Sequence, residues 1–197
     1  MKIITPFKFS VTRKKIEKQF NQKGFVLWIM GLSGSGKSTL SNEISKYFLQ
    51  RNIRYIALDG DTLRSGINSD LGFSSQDRIE NLRRSAHIAK ISANHGLAVI
   101  CSFITPQKAH QNLIKKIIGK DLIICYLDAS LETCQRRDPK GLYRLAKSGK
   151  IQNFTGITQN FSPPVNPKIR IPENQRLSDS IKQINNKLLA LKKISYQ

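Results

Sequence analysis

The stretch Gly31-Leu32-Ser33-Gly34-Ser35-Gly36-Lys37-Ser38 restricts the fold of this chain more than any other. It fits the pattern G-x-x-x-x-G-K-[ST], and it has the neighbours that pattern requires. The apolar run Phe25–Met30 precedes it, short enough for a buried strand. Leu40, Ile44, Tyr47 and Phe48 follow at i, i+4, i+7 and i+8, one face of a helix over residues 37–50. Strand, glycine loop and helix, in that order, wrap backbone N–H groups around a phosphate at a helix N-terminus. Lys37 is the point charge for β- and γ-phosphates, and the Ser38 hydroxyl suits magnesium. The expected nucleoside triphosphate contacts therefore run through Gly31, Leu32, Ser33, Gly34, Ser35, Gly36, Lys37, Ser38 and Thr39.

The rest of the chain alternates in the same manner. Strands are expected at residues 54–58, 97–103, 122–127 and 168–171, and helices at 76–95, 107–118, 130–137 and 177–191. That alternation predicts a doubly wound parallel α/β sheet, a three-layer α/β/α single domain with right-handed crossovers. Ligands of such sheets gather outside the carboxyl ends of the strands. Asp59-Gly60-Asp61, at the end of the second strand, is therefore placed to meet the nucleotide. The helix at 76–95, capped by Ser74 or Ser75 and closed by Gly96, presents Ile79, Leu82, Ala86, Ala89 and Ala93 as its core face. Arg78, Arg83 and Arg84 near its start oppose the helix dipole unless an anion lies close by. Residues 1–24 read as a lead-in with a short helix near 11–20. Residues 138–167, rich in Pro, Gly, Asn and Lys, read as a lid.

Composition removes several alternatives. No apolar run approaches the roughly eighteen residues of a bilayer span, and MKIITPFKFS lacks the apolar region and cleavage site of a secretory signal. Cys101, Cys125 and Cys134 show no metal-site spacing, and two of them lie in apolar runs. Buried free thiols in a reducing cytoplasm are the expectation. His87 and His110 read as solvated helix positions, and His95 as a residue at a helix end. The net charge of +20 admits a nucleic-acid binder. With no stacking platform or recognition helix, the preferred reading is a lysine-rich solvated surface around an anionic small-molecule site.

Several further blocks identify the second substrate. They are Asp59-Gly60-Asp61-Thr62-Leu63-Arg64, Leu71-Gly72-Phe73-Ser74, and Asp77-Arg78 with Glu80-Asn81. Downstream come Phe103-Ile104-Thr105-Pro106, Arg137-Asp138-Pro139-Lys140-Gly141-Leu142-Tyr143 and Phe154-Thr155-Gly156-Ile157. Together with the glycine loop, and in this order, they resemble adenylyl-sulfate kinases over about residues 10–167. The resemblance implies transfer of the γ-phosphoryl of Mg-ATP to the 3′-hydroxyl of adenosine 5′-phosphosulfate. It makes Asp61 the residue that takes or orients the hydroxyl proton, with Ser38 and Asp61 at the magnesium. It assigns Arg64, Phe73, Arg78, Asn81, Ile104, Thr105, Lys140, Leu142 and Phe154 to the acceptor and Arg137 to ATP. Phe73 and Phe154 would sandwich the acceptor adenine. A homodimer and a sulfate adenylyltransferase partner are implied as well.

Two segments depart from the family pattern. Ile104-Thr105-Pro106-Gln107-Lys108 stands where the family usually has I-S-P-Y-R, whose serine has been assigned as a phosphorylated intermediate; direct transfer is the simpler reading for Thr105. Thr158-Gln159-Asn160-Phe161-Ser162 replaces D-x-P-Y-E, so the lid loses two carboxylates and a proline. The competing readings are a kinase with another acceptor and a non-catalytic protein that retains the phosphate loop.

Overall fold

A computed structural model describes Phe7 and residues 9–195. The first part of the expected lead-in, residues 1–6 and 8, lies outside the described residues. Five strands form the centre: β1 (Phe25–Met30), β2 (Tyr55–Asp59), β3 (Ala98–Ser102), β4 (Leu122–Asp128) and β5 (Ile169–Pro172). They make one parallel sheet in the order β2-β3-β1-β4-β5. β1 is its axis, with Trp28 opposite Cys101 on one side and Ile124 on the other. A strand in that position is covered on both faces, which explains why β1 has no polar residue at all.

The strand period divides the core in two. Phe25, Leu27 and Ile29 face Leu40, Ile44 and Phe48 of α2 (Lys37–Gln50) and Ile184 and Leu188 of α8 (Leu177–Ala190). Val26, Trp28 and Met30 face Leu82, Ala86, Ala89 and Ala93 of α4 (Ser75–Asn94) and Ile114 and Ile118 of α5 (Lys108–Ile118). α4 approaches closely: a Cβ at Gly24 would lie 1.8 Å from the Ala93 carbonyl oxygen. The remaining helices are short: α1 (Arg13–Phe20), α3 (Gly60–Arg64), α6 (Leu131–Arg137) and α7 (Leu142–Lys147). Among the described residues, no helix is long and apolar enough to cross a membrane. All three cysteines are buried and free.

The structure corrects several expectations. Ile79 is 38% exposed, and the first turns of α4 bury Asn81 and Ser85 instead. Polar partners make this possible: Asn68 Nδ2 donates to Asn81 Oδ1 at 2.9 Å, and Ser85 Oγ to the Asn81 carbonyl at 2.6 Å. His110 is buried rather than solvated, because the 161–162 segment covers its turn of α5, with Gln111 donating to the Ser162 carbonyl. Burial, with a smaller effect of nearby Arg78, holds the His110 pKa down. The Asp-Gly-Asp segment does lie at the end of the second strand, where Asp59 closes β2 and caps α3, its carboxylate accepting from the Asp61 and Thr62 amides. Residues 138–167 contain α7, which coincides with the apolar stretch Leu142–Ala146.

At the opposite end of the sheet, α1 is fastened by one carboxylate. Arg13 donates to both oxygens of Asp121, at 2.6 and 2.9 Å, and to the Gly24 carbonyl at 2.8 Å. Lys90 lies 3.2 Å and Lys193 3.7 Å from the same carboxylate, whose side chain is 2% exposed. Burial by itself raises the Asp121 pKa; the hydrogen bonds from Arg13 and Lys90 outweigh it and leave it at about 2. A depressed carboxylate stabilises the fold above its unfolded value near 3.8, and that contribution disappears as pH falls towards 2. Asp121→Asn would strand three cations around a neutral amide, so urea denaturation at pH 7 should show a loss of about 3 kcal/mol. The deficit relative to wild type should shrink between pH 4 and pH 2.

Candidate active site

The site begins where β1 ends. The chain reverses at Gly31, where a Cβ would lie 2.8 Å from the Leu127 carbonyl oxygen, so only glycine lets the loop start that close to β4. Gly36, at φ +98°, is the N-cap of α2, and nothing lies within 4 Å of where its Cβ would be. The N-terminus of α2 thus opens onto free space, with its amides pointing into it. Ser35 is buried in the loop, Ser33 and Gly34 are half-buried, and Ser38 and Thr39 are exposed in the first turn. Leu32 points away and is buried in an apolar cluster below the lid.

Among the described residues Lys37 has no anionic hydrogen-bond partner: its ammonium donates to the Gly31 and Leu32 carbonyls, at 3.1 and 2.6 Å. Burial pulls its pKa down to about 8, against the weaker pull of Asp59 and Asp61. A triphosphate would supply the missing negative charge and raise that pKa. Below pH 8 the lysine is charged with or without nucleotide. Above it, the complex holds more proton than the free enzyme, so affinity must fall as pH rises. Calorimetric titration of ADP in buffers of different ionisation enthalpy should show little proton uptake by Lys37 at pH 7 and clear uptake near pH 9.

Asp59 was legible in the sequence only as part of a pair of carboxylates. Its Oδ1 caps α3, and its Oδ2 lies 3.4 Å from Ser38 Oγ, at hydrogen-bond reach across the strand ends. These two oxygens are the hard donors that a magnesium ion with several water and phosphate ligands accepts. Asp61, the carboxylate that the resemblance places at the magnesium, is ion-paired with the Lys140 ammonium. That pairing holds the Lys140 pKa above its ordinary value.

Several of the residues expected at the acceptor lie close together. Arg64 lies on α3, its guanidinium 4.6 Å from the centre of the Phe73 ring, and it donates to the Leu71 and Gly72 carbonyls at 3.1 and 2.6 Å. Phe73 is 63% exposed, an open aromatic face. Arg78 reaches in two directions: Nε donates to the Phe73 carbonyl at 3.0 Å and Nη2 to the Asn153 carbonyl at 2.7 Å. One guanidinium therefore joins the segment carrying Phe73 to the segment carrying Phe154. Phe154 is only 7% exposed and packs edge-on against Tyr143, at 5.0 Å between ring centres. Ile104 and Leu142 are half-buried, and Asn81 is buried beneath. Arg137, at the end of α6, is exposed.

Two of the arginines near the start of α4, Arg83 and Arg84, are neutralised by the protein's own carboxylates. Arg84 makes a paired contact with Asp70, at 2.7 and 2.8 Å, and Arg83 and Arg84 share Glu80. Ser74 and Asp77 form a capping box. No ligand anion is needed to explain Arg83 and Arg84.

Thr105 is 1% exposed, and its Oγ1 accepts a hydrogen bond from the Trp28 indole at 2.9 Å. It also adopts φ +50°, a conformation that strains a β-branched residue. A hydroxyl held by an indole inside the core fixes the loop after β3, and sequence gave no signal for that partner. Thr105→Val should therefore cost about 2 kcal/mol in denaturant unfolding by orphaning the Trp28 N–H, yet leave turnover measurable. Abolished turnover in a folded variant would instead mark the hydroxyl as reactive.

The divergent lid segment is held by other means than carboxylates. Thr158 Oγ1 accepts from the Phe154 amide at 2.8 Å, the Phe161 ring stacks on Tyr126, and the Ser162 amide donates to the Pro106 carbonyl at 2.7 Å.

A parallel sheet of this order, with a lysine-bearing phosphate loop at its centre and a lid above, defines a phosphate-loop kinase. The family model described as adenylylsulphate kinase matches residues 23–172. The adenylyl-sulfate kinase of Clostridium acetobutylicum is 45% identical over 161 residues, covering 82% of this chain and 80% of that one. That of Clostridium kluyveri is 41% identical over 179 residues, covering 91% and 88%. The Mycobacterium tuberculosis APS kinase solved in complex with AMPPNP and APS superposes with a TM-score of 0.82 at 39% identity, covering 85% of this chain and 99% of that one. The chain belongs to the adenylylsulphate kinase family.

Proposed function

We propose that this ATP-dependent adenylyl-sulfate kinase transfers the γ-phosphoryl group of ATP to the 3′-hydroxyl of adenosine 5′-phosphosulfate, and that Asp61, Arg64, Arg78, Phe73 and Phe154 form its acceptor site. The observation carrying this reading is the Arg78 clasp. It joins the two phenylalanine-bearing segments over the same strand ends that hold the phosphate loop. Phosphoryl transfer asks little covalent work of a protein, so alignment and charge dominate. The loop amides and Lys37 hold the β- and γ-phosphates. The Asp61 carboxylate accepts the proton of the 3′-hydroxyl as that oxygen attacks phosphorus, and ADP leaves along the line of attack. Lys140, released from Asp61, turns its charge to the incoming phosphosulfate, and Arg64 adds a second cation beside the exposed Phe73 face. Arg137 reaches the ATP from the end of α6. Ser38 and Asp59 would hold magnesium, which when bound screens the charge of the β- and γ-phosphates.

The same reading includes a cytoplasmic setting, consistent with three buried free thiols, a homodimer, and supply of the acceptor by a sulfate adenylyltransferase. Sulfate assimilation is the process such an activity serves. Incubation with Mg-ATP and adenylyl sulfate should yield ADP and the 3′-phosphorylated product, with AMP and shikimate as poor acceptors. Asp61→Asn should lower kcat by about 100-fold or more while leaving KM for ATP nearly unchanged. Preferred turnover of AMP or shikimate would replace the acceptor, and absence of any turnover with all of them would favour a binding protein.

A further inference from the structure

One buried tyrosine touches both halves of the active site. The Tyr143 hydroxyl donates to the Ser33 carbonyl, in the middle of the phosphate loop, at 3.0 Å. Its ring meets Phe154 edge-on, at 5.0 Å between centres and 82° between planes. Around it, Leu32 of the loop, Ala129, Cys134, Ala146 and Phe154 form a closed apolar cluster apart from the two main cores. The loop leans on the same cluster from below: a Cβ at Gly34 would lie 3.0 Å from the Cys134 carbonyl. The acceptor-side turn does so from above, with Leu131, Leu32 and Tyr143 within 4 Å of where a Cβ at Gly156 would be.

Tyr143 is itself tightly placed. It is 2% exposed, and Asp138 accepts from the amides of Tyr143 and Arg144, both at 3.1 Å, fixing the first turn of α7. Phe154 is held in turn by Thr158 behind it and by Arg78 through the neighbouring Asn153 carbonyl.

We propose that Tyr143 is a positioning residue that couples the donor and acceptor sites, so that a nucleotide on the phosphate loop tightens binding of the aromatic-sandwiched acceptor and the reverse. The inference rests on the acceptor assignment above. Phosphates bound by the loop amides fix the Ser33 peptide. That fixes the carbonyl to which Tyr143 donates, and with it the ring against which Phe154 packs. An adenine stacked on Phe154 restrains the same ring from the other side. Both ligands therefore favour the same placement of the shared ring, and the one bound first leaves the second less to rearrange. Linkage makes the effect reciprocal.

Calorimetric titration of adenylyl sulfate into the intact chain, with and without saturating Mg-ADP, and the reverse titration, measure the coupling. In wild type each ligand should tighten the other by the same factor, about fivefold or more. Tyr143→Phe keeps the ring and removes the donor to Ser33; its factor should fall to about twofold or less, with each ligand alone bound nearly as in wild type. Tyr143→Leu, lacking the ring edge too, should lose the coupling as well. A purely structural role would lower the melting temperature and leave the factor intact. A wild-type factor near one, or an unchanged factor in Tyr143→Phe, overturns the role of Tyr143 while the acceptor assignment stands. Wild-type protein that binds Mg-ADP and not adenylyl sulfate removes the assignment and the inference together.

Discussion

The site depends on how closely β1 and β4 run side by side. The loop after β1 starts where a Cβ would lie 2.8 Å from the Leu127 carbonyl oxygen of β4, and only a glycine at position 31 lets it turn there. From that start the chain reaches the α2 N-cap at Gly36 with its amides facing open space. Lys37 is left between two carbonyls with an unmet need for negative charge. Burial of the whole of β1 sets this position, because a strand covered on both faces cannot shift relative to its neighbours without exposing apolar surface.

Above the sheet, the 138–167 segment shares a second small core with the phosphate loop and α6. Leu32, Tyr143 and Phe154 are buried in it together, and polar contacts at its rim tie it to α3, to α4 and to the loop after β3. Most of these rim contacts use backbone carbonyls. Arg64 and Arg78 spend several donors on main-chain oxygens, a desolvated placement that lowers the pKa of both. Guanidinium groups suit this double duty, since a planar fork can hold carbonyls on one edge and offer donors on the other. The arginines of the site thus shape the pocket before any anion enters it.

Much of this was legible in the sequence. The glycine loop with its flanking strand and helix, the alternation of the remaining elements and the capping serine of α4 all depend on residues within one or two turns of each other. The bounds of β1 and α2 are those the apolar pattern predicts. The misreadings have a common origin. Ile79 and His110 were assigned by helical period alone, and the burial of Asn81 and of the first turn of α5 depends on Asn68 and Ser162, far along the chain. The dipole misfit of Arg84 is resolved by Asp70, which lies 14 residues away and which helical period does not reveal.

The fold class, the phosphate loop, the buried thiols and the order of the blocks that mark the family could be read without coordinates, because each is written in neighbouring residues or in their succession. Folding in three dimensions was needed to bring Asp59 beside Ser38, Thr105 under the Trp28 indole, and Tyr143 onto Ser33. Those contacts join positions 21, 77 and 110 residues apart. Which of several chemically suitable groups meets which is set by the sheet order and the depth of each strand end, and local pattern carries neither.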